Sequence, residues 1–327
     1  MIKQKSALLI GANGQDASYL AELLIEKKYI VHGTIRRNSV PESQTTRIED
    51  LRLNGLITLH YMDLTDPISV ETIINDLKPD EIYHLGAQSH VQISFELPKY
   101  TLDVNAGGTL AILEAVRKFS PKSKIYHAAT SEMFGNSCDS DGFQREKTKF
   151  APVSPYGCSK LYAHTLCSNY RNAYGMFISS GILFNHESPR RGINFVTNKV
   201  VLEAVKIHLG KSSELTLGNL DAFRDWGHAK DYVKGMWLML QQDKPEDFVL
   251  ATGLTHSVNE LVDYVFNKLN LEKEKYLKVD DKFKRAEELH YLRGDATKAK
   301  NKLGWELEYS FESMLDEMID YWFKKLS

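Results

Sequence analysis

The stretch SALLIGANGQDASYLAELL, Ser6–Leu24, decides the fold. An apolar run comes first, two glycines and an alanine follow in a GxxGxxA frame, and a helical pattern closes the stretch. Gly11 and Gly14 fall where a strand gives way to a helix. The backbone can turn tightly there and let a pyrophosphate approach the helix N-terminus, whose exposed N–H groups and dipole favour an anion. The pattern alone is weak, because a glycine turn can equally bind nothing.

Outward from this turn the same rhythm repeats. Short apolar or β-branched runs alternate with helical patterns: IVHGTI (30–35), ITLHYMD (57–63), EIYHLGA (81–87), KIYHAAT (124–130) and MFISSGILF (176–184), with helices such as TLAILEAVRKF (109–119) between them. Such alternation is what a parallel sheet with crossover helices needs. The expectation is an α/β fold, a doubly wound parallel sheet of Rossmann type that binds ligands at the carboxyl ends of its strands. After residue 186 the rhythm loosens into a loop, NHESPRRGINF, a helix near VTNKVVLEAVKIHLG, and a mixed remainder ending in the amphipathic SFESMLDEMIDYWFKKL. Residues 1–185 therefore read as a dinucleotide-binding domain and residues 186–327 as a smaller mixed α/β lobe that binds substrate, with parts of the chain crossing between them. No internal repeat or low-complexity linker separates the two, so a shared interface is expected.

The bulk numbers narrow the function classes. A chain of 327 residues with 43% hydrophobic and 26% charged residues reads as soluble and globular. A net charge of −2 gives no electrostatic reason for a nucleic-acid or membrane-surface partner. Three cysteines, Cys138, Cys158 and Cys167, lack metal-ligand spacing, so neither a disulfide nor a metal site is expected. No apolar run reaches a membrane span of ~18 residues, and the run before Gly11 is too short for a signal peptide. A cytosolic home follows as an expectation.

The second strand ends GTIRRNS, about twenty residues after the glycine turn, where an NAD binder carries an acid for the ribose hydroxyls. Arg36 and Arg37 stand there instead. Two guanidiniums suit a 2′-phosphate, which favours NADP over NAD; solvated loop residues are the plainer alternative. Asp63 and Leu64, closing the third strand, are placed to cap the adenine end, although an Asp at a strand end also forms turns.

SPYGCSK puts Tyr156 and Lys160 at i and i+4, on one face at the start of a helix. A phenol with a pKa of ~10 is a poor base, but a nearby ammonium and a cationic nicotinamide both favour phenolate, so the pair is expected to accept a hydroxyl proton near neutral pH. After a glycine turn this pair signals a short-chain dehydrogenase/reductase. Upstream, AATSEMFG offers Thr130 and Ser131 to a sugar hydroxyl and adds Glu132. A carboxylate beside a newly made ketone can remove the neighbouring C–H proton and then help a hydroxide leave, which points to a dehydratase.

The chain closely resembles the GDP-mannose 4,6-dehydratases of the extended short-chain dehydrogenase/reductase group. The likeness runs through GANGQD, GTIRRNS, GAQSHVQISFE, TSEMFG, SPYGCSK, FNHESPRRG, LGNLDAFRDWGHAKDYV, PEDFVLATG and GDATKAKNKLGW. It implies NADP held near Gly11, Gly14, Gln15, Asp16, Arg36, Arg37, Asp63, Leu64, Tyr156 and Lys160. It also implies an internal redox cycle: Tyr156 takes the C4 hydroxyl proton as hydride leaves C4, assisted by Lys160 and Thr130. Glu132 then removes the C5 proton and expels the C6 hydroxyl as water, the hydride returns to C6, and a proton is delivered to C5. The resemblance further places Ser131, Asn185, Arg191, Lys199 and Arg224 on the GDP-sugar, with Arg285 and Glu288 at the nucleotide end, where Ala286 replaces a usual proline.

Departures fall at the substrate side. The usual PRRGENFVTRK reads PRRGINFVTNK, with Ile193 for an acid and Asn198 for an arginine, implying either an altered sugar pocket or a compensated pair. Ala17 ends the glycine turn in place of a glycine, and Gly86 replaces a usual alanine. Relatives that act on GDP-manno-heptose make that sugar an alternative to mannose. An epimerase or ketoreductase on the same scaffold would need the tyrosine and lysine but no base for C5, so Glu132 discriminates, and a non-catalytic protein would need none of Thr130, Glu132, Tyr156 and Lys160. The resemblance implies a homodimer or homotetramer, with the loop RRNSVPESQTTRIEDL reaching a neighbouring subunit.

Overall fold

A computed structural model of the chain describes residues 4–37, 48, 49, 53, 55–280, 282, 287 and 289–327. Six strands coincide with the apolar runs: β1 (Ser6–Ile10), β2 (Ile30–Ile35), β3 (Ile57–Tyr61), β4 (Glu81–His84), β5 (Lys124–Thr130) and β6 (Ile178–Leu183). They pair in parallel in the spatial order β6-β5-β4-β1-β2-β3. Helices α1 (Gln15–Glu26), α2 (Pro67–Leu77), α3 (Val91–Glu96), α4 (Pro98–Leu102), α5 (Gly108–Phe119) and α6 (Pro155–Tyr174) lie in the crossovers, with a π-helical turn Asp103–Gly107 before α5. The order reverses between β1 and β4, and this switch point opens a crevice at the carboxyl ends of the strands.

After β6 come β7 (Asn185–Glu187), α7 (Val196–His208), β8 (Leu215–Leu217), β9 (Phe223–Arg224), β10 (Trp226–His228), α8 (Ala229–Leu240), β11 (Phe248–Leu250), β12 (His256–Ser257), α9 (Val258–Lys268), α10 (Lys273–Tyr276), β13 (Leu277–Val279), α11 (Thr297–Leu303) and α12 (Phe311–Leu326). β11 extends the main sheet to seven strands by pairing in parallel with β6. β10 lies beside β7, with Trp226 opposite Asn185, Gly227 opposite His186 and His228 opposite Glu187.

Successive strand residues face opposite sides, and both faces are covered, so the strands are apolar almost throughout. Leu8, Ile10, Ile82, Ile125 and Ile178 pack with Val70 and Ile74 of α2, Ile112 and Val116 of α5, and Cys167 of α6. On the other face Ala7, Leu9, Tyr83 and Tyr126 pack with Tyr19, Leu20 and Leu24 of α1, Tyr232, Met236 and Leu240 of α8, and Trp305. A separate core joins α7 (Val200, Val201, Val205), α9 (Leu261, Val265) and α12 (Met314, Met318).

Candidate active site

The carboxyl ends of β1, β4, β5 and β6 open on a cavity of about 1000 Å3, and a second of about 220 Å3 lies against Gly11, Asn13, Arg36, Asp63, Leu64 and Gly86. The two meet at Ala87. Gly11 has a φ of +86°, and a Cβ there would stand 3.0 Å from the Gly86 Cα, so only glycine makes this turn against the chain leaving β4. Gly14 is the N-cap of α1 and supplies no side-chain cap, which leaves the helix start suited to an anion. Arg36 hydrogen-bonds the Tyr100 hydroxyl, and the Arg37 guanidinium lies 5.9 Å from the centre of the Tyr61 ring. The Asp63 carboxylate accepts from the Thr65 amide and hydroxyl at 2.9 and 2.8 Å, so it forms a turn at the cavity wall. The glycine cradle, the helix start and the two arginines fit an extended dinucleotide lying across the switch point.

At the end of β5, Thr130 caps the 3₁₀ turn Ser131–Phe134 by accepting from the Glu132 amide at 3.2 Å. Ser154 caps α6 by accepting from the Gly157 amide at 3.0 Å, and Pro155 occupies the first turn, where its missing N–H costs nothing. This start places Tyr156 and Lys160 one turn apart, and both are buried. A Cβ on Gly157 would come within 2.9 Å of the Glu132 carbonyl oxygen. The glycine thus lets α6 close onto the 3₁₀ turn and brings Tyr156 to Glu132. Thr130, Ser131, Glu132, Tyr156 and Lys160 all line the larger cavity.

Burial pushes the Tyr156 hydroxyl up to about 12; Glu132's charge adds to the rise, and a hydrogen bond with Thr130 and the charge of Arg191 oppose it. Burial also pushes Lys160 down to about 8, and its Nζ donates to the Ala128 carbonyl at 2.9 Å. The expectation of a phenolate near neutral pH draws on both an ammonium and a cationic nicotinamide, and among the protein's own groups burial outweighs the cations. Removing a phenolate from water costs more than the protein's own cations return.

The substrate-side residues Asn185, Arg191, Lys199 and Arg224 line the same cavity. Arg191 Nε lies 3.1 Å from Glu187 Oε2, and its guanidinium sits 3.6 Å over the Phe195 ring. Lys199 Nζ donates to the Thr216 carbonyl at 2.7 Å, and Arg224 Nη1 to the Phe223 carbonyl at 2.8 Å. Three cations thus line the one cavity, a donor set apt for a diphosphate. Arg285, Ala286 and Glu288 lie outside the described residues.

The family model for GDP-mannose 4,6 dehydratase matches residues 8–318. The chain belongs to the GDP-mannose 4,6-dehydratase family. It is 50% identical to the GDP-mannose 4,6 dehydratase of Homo sapiens, over 96% of this chain and 90% of that protein. It is 46% identical to the GDP-mannose 4,6-dehydratase of Sinorhizobium fredii, over 98% and 97% of the two chains. Among solved structures it resembles the UDP-glucose 4-epimerase of Thermotoga maritima with UDP-glucose, with a TM-score of 0.85 and 25% identity over 98% of this chain and 100% of that one. The fold is shared also with dTDP-glucose 4,6-dehydratase from Bacillus anthracis in complex with NAD, with a TM-score of 0.83 and 22% identity over 98% and 97% of the chains.

Against the dehydratase family, the two departures part company in space. Ile193 is 60% exposed and lines the cavity. Asn198 is fully buried; it accepts from Trp322 Nε1 at 2.6 Å and donates to the Arg191 carbonyl at 2.5 Å. Of the two positions left open between an altered pocket and a compensated pair, Ile193 lines the cavity, while Asn198 ties the Arg191 segment to α12. Sequence reasoning also passed over three residues. Glu187 is buried, lines the cavity and accepts from the Thr197 hydroxyl at 2.5 Å. Asn105, in the π-helical turn, donates to Gln88 O and Ser159 Oγ at 3.0 Å each and so braces the residue before Lys160. His186 Nε2 lies 2.9 Å from Asp16 Oδ2. Asn105 carries a signal of its own, an amide inside an otherwise apolar helical pattern.

Proposed function

We propose that this chain is a GDP-sugar 4,6-dehydratase, a hydro-lyase that converts GDP-mannose to GDP-4-keto-6-deoxymannose with NADP as its resident cofactor. The observation that carries the reading is the close packing of α6 on the 3₁₀ turn, which sets the Glu132 carboxylate in one cavity with Tyr156 and Lys160. NADP, if bound across Gly11, Gly14 and the two arginines, would supply a hydride acceptor and donor and, when oxidised, positive charge in this cavity. Tyr156, hydrogen-bonded to Thr130, takes the C4 hydroxyl proton once that charge offsets its burial. Lys160 holds its charge in place by bonding Ala128. The C4 ketone acidifies C5–H; Glu132 removes that proton and returns one to the departing C6 hydroxyl, so that water leaves a C5=C6 alkene, which then takes back the hydride at C6 and a solvent-derived proton at C5. Arg36 and Arg37 favour the 2′-phosphate of NADP. Arg191, Lys199 and Arg224 hold the diphosphate, with Ser131 and Asn185 on the sugar side and Arg285 and Glu288 at the nucleotide end.

Among the described residues no helix is long and apolar enough to cross a membrane. The reading places the enzyme in the cytoplasm as a homodimer or homotetramer, without nucleic-acid or membrane partners.

The test follows GDP-mannose, and separately GDP-manno-heptose, by NMR in heavy water. A 4-keto-6-deoxy product with deuterium at C5 is expected. Turnover of the heptose alone would assign the exposed Ile193 wall to that sugar. A C4 epimer or a reduced product without deuterium at C5 would make the enzyme an epimerase or ketoreductase, and no reaction with either sugar would overturn the proposal.

A further inference from the structure

Asp16 is the second residue of α1, directly after the glycine turn, and His186 is the middle residue of β7. His186 Nε2 lies 2.9 Å from Asp16 Oδ2, and Nδ1 lies 2.8 Å from the Phe184 carbonyl oxygen. A carbonyl cannot donate, so Nδ1 carries a proton. An ionised Asp16 cannot donate either, so Nε2 carries one too, and the ring is an imidazolium. It stacks on Tyr232 with ring centres 4.6 Å apart and planes 20° from parallel. Burial opposes the charge on each partner, but the partner's charge outweighs it, holding His186 above and Asp16 below their ordinary ranges.

Neighbouring contacts reinforce the pair. Gln15 Nε2 donates to the His186 carbonyl at 3.1 Å, and its Oε1 accepts from the Ser188 hydroxyl at 2.8 Å. Arg190 grips Glu22 of α1 through two bonds of 2.8 and 2.9 Å. The start of α1 is thus bound to residues 186–190, and Asp16, Asn185, His186, Glu187 and Arg191 line the larger cavity. A carboxylate in the first turn of α1 would by itself repel a pyrophosphate at that helix start, and His186 cancels its charge.

We infer that Asp16 and His186 are positioning residues that couple the two halves of the site, so that a dinucleotide at the α1 turn and a guanosine diphosphate group on the β7 side strengthen each other's binding. The inference rests on the proposed site assignment, and its test reads binding instead of turnover. By calorimetry, NADP+ is titrated into the dinucleotide-free full chain with and without saturating GDP. The expected result is at least a five-fold gain in NADP+ affinity with GDP, and by linkage the same factor for GDP with NADP+. Asp16→Asn and His186→Gln should each bring that factor below two, and the double variant should fall no further. ¹⁵N-labelled histidine gives a second readout: two protonated ring nitrogens at His186 in the native chain and one in Asp16→Asn. Native coupling below two-fold overturns the inference, as does coupling undiminished in folded variants or a neutral His186 in the native chain. A chain that couples the ligands through this pair yet dehydrates no GDP-sugar would sink the proposed activity alone. An active dehydratase without coupling would sink the inference alone.

Discussion

In the proposed reaction Glu132 is the residue on which the chemistry turns, because its charge raises Tyr156 and its carboxylate is assigned as the base for C5. Glu132→Gln removes both effects. Hydride should still leave C4, since the phenol ionises more readily without the neighbouring charge, while elimination should slow by about 10²–10⁴-fold. The variant is then expected to accumulate reduced nicotinamide, seen in its absorbance, and to place no deuterium at C5. Lys160 gives a second prediction at this scale. Its folded pKa of about 8 lies below the unfolded 10.5, so between those values the unfolded chain holds a proton that the folded chain has released. Stability from this group therefore rises with pH across that window, by about 3 kcal/mol in full, and is constant below it. The urea-unfolding free energy of the native chain minus that of Lys160→Met should climb from pH 8 to 10.5; a flat difference would mean that Lys160 titrates like a solvated lysine.

Elements long enough to show a period were legible in the sequence. The runs that became β1 to β6 and the patterns that became α5, α7 and α12 needed only apolar spacing. β11 was not legible, since Phe248–Leu250 is three apolar residues that show no alternation. The short parallel pair β7 and β10 was hidden likewise, and with it the partner of Asp16. The proposed catalytic residues stood out in the sequence because each lies in a motif at an element boundary. The roles of Ile193 and Asn198 were not, because two positions five residues apart in sequence separate only once α7 is built. That separation predicts opposite behaviour. Asn198→Leu leaves Trp322 Nε1 and the Arg191 carbonyl without their partner, at about 1–3 kcal/mol for each orphaned group, and should lower the urea midpoint. Ile193→Glu, at an exposed site, should change stability by no more than about 0.5 kcal/mol while altering KM for the GDP-sugar.

At the scale of the molecule, the division at residue 185 describes the order of the sequence better than the way the core is built. The core on one face of the sheet joins Ala7, Leu9 and Tyr19 to Tyr232, Met236, Phe248 and Trp305, and the edge of β6 is covered by β11. Two cooperative units would each need a closed core, and the first 185 residues lack the side chains that close theirs. Each large apolar side chain taken out of that core and returned to water costs about 1.5–3 kcal/mol, and uncovering several exceeds the 5–15 kcal/mol that ordinarily holds a domain folded. The chain should therefore unfold in one transition, with the tryptophan fluorescence of Trp226 and Trp305 and the far-ultraviolet signal changing together. A fragment ending at residue 185 should fail to give a dispersed amide spectrum even with NADP+ present. Separate transitions, or a fragment that folds and binds NADP+, would instead establish the dinucleotide half as an independent domain with the remainder docked upon it.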